Sequence, residues 1–256
     1  MPDPADTAWQ QRPSQFPADT HWPPPIDPGP DLATWALRRA EIDVRWRRLL
    51  GPLPDGGDLQ TVVLGETQED GFSRRRIRYR IENPPHEHWV EAYLLIPTGD
   101  TPAARPGIVV YHPTCPRDCE EPAGLAGLAS RHSGVEFVRQ GYVVLCPRNV
   151  LWEYAGPYHD FTRSDHGERD LLALMARFRA IHPQGTGMGK MTAAAIAAVD
   201  VLAATPGVDP GRLHAFGFSL GAKEALFAAA FDTRLQSSVF VDGGIGLGYS
   251  NWRSDW

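Results

Sequence analysis

The clearest chemical feature of the sequence is a serine enclosed by glycines, at residues 217–221 (GFSLG). A short apolar run ending at Phe216 precedes it, and an alanine-rich segment follows it. A serine at the tip of a tight strand-to-helix turn presents its hydroxyl outward, and the helix N-terminus behind it favours developing negative charge. The glycines remove side chains that would clash in such a turn. The pattern predicts that Ser219 is a nucleophile for acyl transfer; the alternative is a glycine-rich turn with a capping serine.

A layered α/β architecture is predicted around this turn. A helix starts with Asp31 as its N-cap and stops near residue 51. Residues 74–81 and 88–97 alternate apolar and polar side chains, which predicts two antiparallel strands. Continuous apolar runs at 107–111 and 142–145 are typical of parallel strands buried on both faces. Further strands are predicted at 212–216 and 237–241, and further helices at 123–140, 170–180, 188–204 and 220–231. Such alternation predicts a mostly parallel sheet in a three-layer sandwich.

Five segments together suggest a family. They are 208–213 (VDPGRL), 217–225 (GFSLGAKEA), 228–235 (AAAFDTRL), 111–114 (YHPT) and 187–191 (GMGKM). The chain from residue 31 to 256 resembles the dienelactone hydrolase and acetyl xylan esterase branch of the α/β-hydrolases. The resemblance implies an α/β-hydrolase fold and hydrolysis of a carboxylic ester through an acyl-serine intermediate, without a cofactor. A peptidase or lactonase on the same machinery and a non-catalytic binding protein of this fold are the alternatives.

The resemblance also implies an oxyanion hole made of two backbone N–H groups. One belongs to Leu220, directly after the nucleophile, and the other to the loop that follows the strand at 107–111. Pro113 has no N–H, so Thr114 or Cys115 is the second donor. We interpret the neighbouring His112 as a buried, hydrogen-bonded side chain rather than as a catalytic group.

A catalytic triad needs two further members, an acid and a base. Asp242 follows the last predicted strand and is the candidate acid; the alternative is a turn-forming aspartate before two glycines. A serine nucleophile needs a general base, which follows the acid in the chain order of this fold. The last histidine, His214, precedes Ser219. We therefore expect the catalytic histidine and the C-terminal strands of the sheet to lie beyond Trp256.

Four residues are predicted to bind substrate. Residues 242–246 and Trp252 also resemble the region after strand six of glucuronoyl esterases, and Lys223 stands where those enzymes use a lysine on the sugar. Leu220 stands where they have an arginine, which weakens this closer match. Arg148 and Trp152 follow a strand whose carboxyl end should face the ligand crevice. Ion pairing and ordinary loop packing are the alternatives for these side chains.

Composition narrows the possible partners. The formal net charge of −6 over 256 residues argues against nucleic acid. No apolar run reaches the roughly 18 residues of a membrane span. The N-terminus lacks the apolar segment of a secretory signal, and three cysteines do not form a disulfide framework, so we expect a cytoplasmic location.

Two further expectations concern the N-terminal residues and metal binding. Residues 1–30 are rich in proline and are predicted to form an extended arm before the hydrolase domain at 31–256. His86 and His88, like the pair Cys115 and Cys119, are too few ligands for a metal site.

The family resemblance implies a small-molecule or carbohydrate ester as the binding partner. The oligomeric state is left open.

Overall fold

The computed structural model describes residues 31–53, 58–99, 104–155 and 167–243. The predicted arm at 1–30 lies outside these residues. The strands are β1 (Thr61–Glu69), β2 (Phe72–Glu82), β3 (His88–Pro97), β4 (Arg105–Tyr111), β5 (Val143–Pro147), β6 (Val208–Phe218) and β7 (Leu235–Val241). The α-helices are α1 (Leu32–Leu50), α2 (Ser133–Arg139), α3 (Val150–Ala155), α4 (Gly167–Ile181), α5 (Gly187–Ala203) and α6 (Leu220–Phe231). Within these ranges, two short 3-10 helices cover Asp118–Glu120 and Ala129–Arg131.

Helix α1 up to Arg47 belongs to one compact unit, and residues 48–243 form another, which holds the sheet. The predicted N-cap is confirmed, because the Thr34 N–H donates to Asp31 Oδ1 at 2.7 Å. The same hydrogen bond lowers the pKa of Asp31. Leu50 is the buried residue of this helix, whereas Leu32 and Leu49 are exposed. No helix among the described residues is long and apolar enough to cross a membrane.

The sheet has seven strands in the order β1-β2-β3-β5-β4-β6-β7. The predicted antiparallel pair β2/β3 is confirmed, and β1 and β5 also lie antiparallel to their neighbours β2 and β3. Strands β5, β4, β6 and β7 run parallel to one another. Strand β1 was not predicted, because almost all of its side chains are exposed and its sequence does not alternate between apolar and polar residues.

Helices cover both faces of the parallel strands. Val109 and Leu145 pack into one apolar cluster with residues of α5 and α6. Their neighbours Ile108 and Val144 point the other way, into a cluster with residues of α2. The predicted strands buried on both faces are thus confirmed, and the fold is the expected three-layer α/β sandwich. Helix α2 is shorter than the predicted helix at 123–140, because 3-10 turns occupy part of that segment.

The parallel strands set the position of the site. Because β4, β5, β6 and β7 run in one direction, their carboxyl ends lie at the same edge of the sheet. His112, Arg148, Ser219 and Asp242 each stand at or just after one of these ends. Open α/β sheets bind ligands at this edge.

Candidate active site

Ser219 joins β6 to α6 in a strained conformation. Its φ of 54° and ψ of −112° lie where few non-glycine residues are found, and such a residue typically costs about 1–3 kcal/mol. The Ser219 N–H donates to the Val241 carbonyl at 2.8 Å, and the Ser219 carbonyl accepts from the Ala222 N–H at 3.1 Å. The side chain caps no helix N–H. The surrounding backbone therefore holds the turn, and the hydroxyl stays available.

The two glycines of this turn are required by close backbone contacts. A β-carbon on Gly217 would overlap the Gly221 carbonyl and lie 2.6 Å from the Ala222 nitrogen. A β-carbon on Gly221 would overlap the Tyr111 carbonyl and lie 2.8 Å from the His112 carbonyl oxygen. The N-terminus of α6 thus rests directly on the end of β4. The glycine pattern in the sequence has this packing as its cause.

The predicted oxyanion donors lie on the two elements that meet at Gly221. Leu220 is the first residue of α6, so its N–H has no partner within the helix. Across the described ranges, neither the Thr114 N–H nor the Cys115 N–H donates to a protein acceptor. Thr114 is half-buried and Cys115 is buried. Three N–H groups are therefore open at this edge of the sheet.

Asp242 occupies the matching position after β7. The register pairs Phe218 with Val241, so Ser219 and Asp242 are each the first residue beyond their paired strands. Asp242 is exposed and has a φ of 55°, a conformation that aspartate tolerates better than most residues. This geometry suits both interpretations of Asp242, the catalytic acid and the turn residue.

His112 has no accessible surface, and both of its ring nitrogens are engaged. Nδ1 lies 2.7 Å from the Pro113 carbonyl oxygen, and Nε2 lies 3.0 Å from the Asn149 nitrogen. Because the Asn149 N–H is a donor, Nε2 must be the acceptor and Nδ1 carries the proton. Burial lowers the pKa of His112. The ring is thus a neutral structural group, as interpreted from the sequence.

The other histidines with described contacts lie elsewhere. His214 Nδ1 is 2.9 Å from Ser237 Oγ within the sheet, and His182 Nε2 is 3.3 Å from a Glu82 oxygen. In the described ranges, no histidine forms a hydrogen bond with Ser219. Among these residues, the structure thus places no histidine as the hydrogen-bonded base of Ser219.

Arg148 and Trp152 lie at the predicted edge, but inside the protein. The Arg148 side chain is 8% exposed and faces Asp118 at 3.1 Å, Glu153 at 3.4 Å and Glu91 at 3.7 Å. Trp152 has no exposed surface and packs edge-on against the His112 ring, with centroids 4.8 Å apart. Arg148 therefore forms buried ion pairs and Trp152 packs inside the protein, and the substrate contact predicted for both stays a prediction. The fourth predicted substrate residue, Trp252, lies outside the described residues.

Two neighbouring ionisable side chains lie on the first turns of α6. Lys223 is nearly buried, and burial lowers its pKa. Glu224, which was not predicted as a site residue, is buried, and burial raises its pKa to about 8. The Asn149 side chain opposes that rise, although Asn149 Nδ2 has no hydrogen bond of good geometry. The position of this glutamate in an alanine-rich helix was the sequence signal that could have identified it as a buried ionisable residue.

Metal binding finds no support in the described part of the chain, where no three His, Cys, Asp or Glu residues are placed to hold an ion. Cys115, Cys119 and Cys146 are free and buried. Burial raises the pKa of all three thiols, which makes them poor nucleophiles.

A strained serine between a parallel strand and a helix, on a sheet of this order, defines the α/β-hydrolase fold. The chain is similar to a glucuronoyl esterase from Solibacter usitatus, with a TM-score of 0.56 and 16% identity over 82% of this chain and 59% of that one. A promiscuous CE15 esterase from a marine bacterial metagenome gives 0.53 and 16% over 80% and 57%. A Bacteroides fragilis protein provisionally described as an acetyl xylan esterase gives 0.52 and 17% over 84% and 62%.

These similarities concern the fold alone, because the identities are low. The chain spans about three fifths of the length of the solved structures it matches. No protein-family profile and no curated protein sequence matches it.

Proposed function

We propose that this chain carries the nucleophile and oxyanion hole of a serine hydrolase that cleaves carboxylic esters through an acyl-serine intermediate. The observation that carries the proposal is the strained backbone of Ser219, which the surrounding hydrogen bonds hold with its hydroxyl unused. Strain of this kind at a single polar residue is concentrated at functional sites.

The reaction follows from the groups at the carboxyl edge of the sheet. Ser219 Oγ attacks the ester carbonyl carbon while a general base removes its proton. The Leu220 N–H and the N–H of Thr114 or Cys115 stabilise the oxyanion, and we favour Thr114 because it is less buried. Collapse releases the alcohol, which takes the proton from the protonated base, and water then hydrolyses the acyl-serine. We assign the base to a histidine outside the described residues, with Asp242 as the acid that orients it.

The proposed substrate class comes from the proteins that share this fold. Solved structures that share this fold include proteins described as acetyl xylan, glucuronoyl and promiscuous esterases. An ester of a carbohydrate or another small molecule is therefore the proposed substrate, with Lys223 as a candidate contact. A non-catalytic binding protein is the second candidate, since no histidine in the described ranges reaches Ser219.

Labelling with a fluorophosphonate probe tests the nucleophile in the longest natural form of the protein. Ser219→Ala should abolish labelling. Ser237→Ala is the matched control, because Ser237 is the described serine that lies within hydrogen-bond distance of a histidine ring. Labelling that persists in Ser219→Ala and disappears in Ser237→Ala would refute the assignment. Absence of labelling in the unmodified protein would favour the binding protein.

A further inference from the structure

The loop at residues 112–118 connects β4 to the first 3-10 helix and carries both candidates for the second oxyanion donor. A donor of this kind works only if its N–H points at the position where the oxyanion forms. The loop has little regular structure of its own. Two consecutive residues after β5, Arg148 and Asn149, bind its two ends.

The start of the loop is held through the His112 ring. Asn149 N–H donates to His112 Nε2 at 3.0 Å, and the His112 Nδ1–H donates to the Pro113 carbonyl at 2.7 Å. The imidazole therefore links the backbone after β5 to the carbonyl of the residue before Thr114. Trp152 packs edge-on against the same ring, and both side chains are fully buried.

The end of the loop is held through Asp118. Asp118 is fully buried with a φ of 41°, and its Oδ2 accepts from Arg148 Nε at 3.1 Å. Its own N–H donates to the Cys115 carbonyl at 3.3 Å. The Arg148 backbone is itself fixed, since its N–H donates to the Glu91 carbonyl at 2.8 Å. Arg148 thus connects the end of the loop to β3 of the sheet.

We propose that Arg148 and His112 are positioning residues that orient the loop 112–118, and with it the second oxyanion donor. This inference rests on the proposed function and gives Arg148 a different role from the substrate contact predicted from the sequence. A displacement of about 1 Å in a catalytic group can cost on the order of a hundredfold in rate. Loss of either the Arg148–Asp118 or the Asn149–His112 contact should therefore weaken the binding of an oxyanion measurably.

Two of the carboxylates on Arg148 make a matched pair of variants. Asp118→Asn weakens the ion pair that joins Arg148 to the loop. Glu153→Gln weakens a second ion pair of the same guanidinium, but Glu153 lies on α3 and not on the loop. The probe is phenylboronic acid, which forms a tetrahedral adduct with a serine hydroxyl and requires no turnover. Asp118→Asn should weaken boronate binding by about tenfold to a hundredfold. Glu153→Gln should leave it within about twofold of the unmodified chain, because Glu153 contacts Arg148 and the Glu91 N–H but not the loop.

Amide hydrogen exchange by NMR provides a second readout. In Asp118→Asn, the amide exchange rates of Asn149 and residue 118 should rise at least several-fold. In Glu153→Gln, both rates should equal those of the unmodified chain. Equal effects of the two variants on boronate binding, or none, would overturn the positioning role. If the unmodified chain and Ser219→Ala both fail to bind the boronate, the proposed function fails instead. In that case the exchange rates decide whether Arg148 holds the loop.

Discussion

Gly221→Ala is expected to destabilise the protein and to disturb the serine turn, because the end of β4 leaves no space for a β-carbon. The added atom would overlap the Tyr111 carbonyl and lie 2.8 Å from the His112 carbonyl oxygen. Real β-carbons essentially never approach other atoms below 3.0 Å, so backbone must move. Neither obstacle is the far end of a flexible side chain. Either α6 or the end of β4 must shift, and the loop with the second oxyanion donor shifts with it.

The magnitude follows from the cost of overpacking. Inserting a group into a filled site costs about 1–3 kcal/mol, occasionally more. For a unit of this size, each kcal/mol lowers the melting temperature by about 2–4 °C. Gly221→Ala should therefore melt roughly 2–12 °C below the unmodified chain.

Gly65→Ala is the control, because no atom lies within 4 Å of its β-carbon and its φ is not in the left-handed region. That substitution should be neutral or stabilise by up to about 1 kcal/mol. Thermal unfolding followed by circular dichroism compares the two variants. Equal melting temperatures for Gly221→Ala, Gly65→Ala and the unmodified chain would show that the turn does not pack as described.

Three further predictions concern charge and the sheet edge. The pKa of Glu224 is about 8 in the folded state and near 4.5 in the unfolded chain. Between these two values the folded state holds a proton that the unfolded chain has lost, so the free energy of unfolding falls as the pH rises. Glu224→Gln should flatten that slope in urea unfolding between pH 5 and 8, and an unchanged slope would contradict the shift. Asp242→Asn, in a form of the protein that turns over, should lower kcat by about 10⁴ with little change in KM if Asp242 is the triad acid; a loss below tenfold would assign it to the turn. The apolar residues Val239, Phe240 and Val241 are exposed on the outer strand β7, so the chain should self-associate and Val239→Lys should reduce this. A monomer in sedimentation of the unmodified chain would disprove the last expectation.

The serine turn could be predicted because local sterics determine it. Gly217, Ser219 and Gly221 stand at fixed spacing between a strand and a helix, and few other structures require that spacing. The parallel strands were also recognisable, since burial on both faces leaves continuous apolar runs at β4 and β5. Such signals lie within about ten residues of one another.

The supports of the site could not be predicted, because they join distant parts of the chain. Arg148 pairs with Asp118, thirty residues earlier, and Asn149 donates to His112, thirty-seven residues earlier. The residue types alone allowed a substrate contact as easily as a buried ion pair. Helix α3 was hidden for a related reason, since its six residues are too few to show a helical period.

The hydrogen bond from the Ser219 N–H to Val241 makes the outermost parallel strand part of the nucleophile's support. Edge strands with little burial open more readily than the centre of a sheet, through local unfolding that leaves the rest of the fold intact. When β7 frays, Ser219 loses the acceptor that holds its strained φ. The reactivity of the serine should then decline at temperatures or denaturant concentrations where the central strands are still folded. Stabilising β7 alone would extend the working range of the site without any change to the residues that touch a substrate.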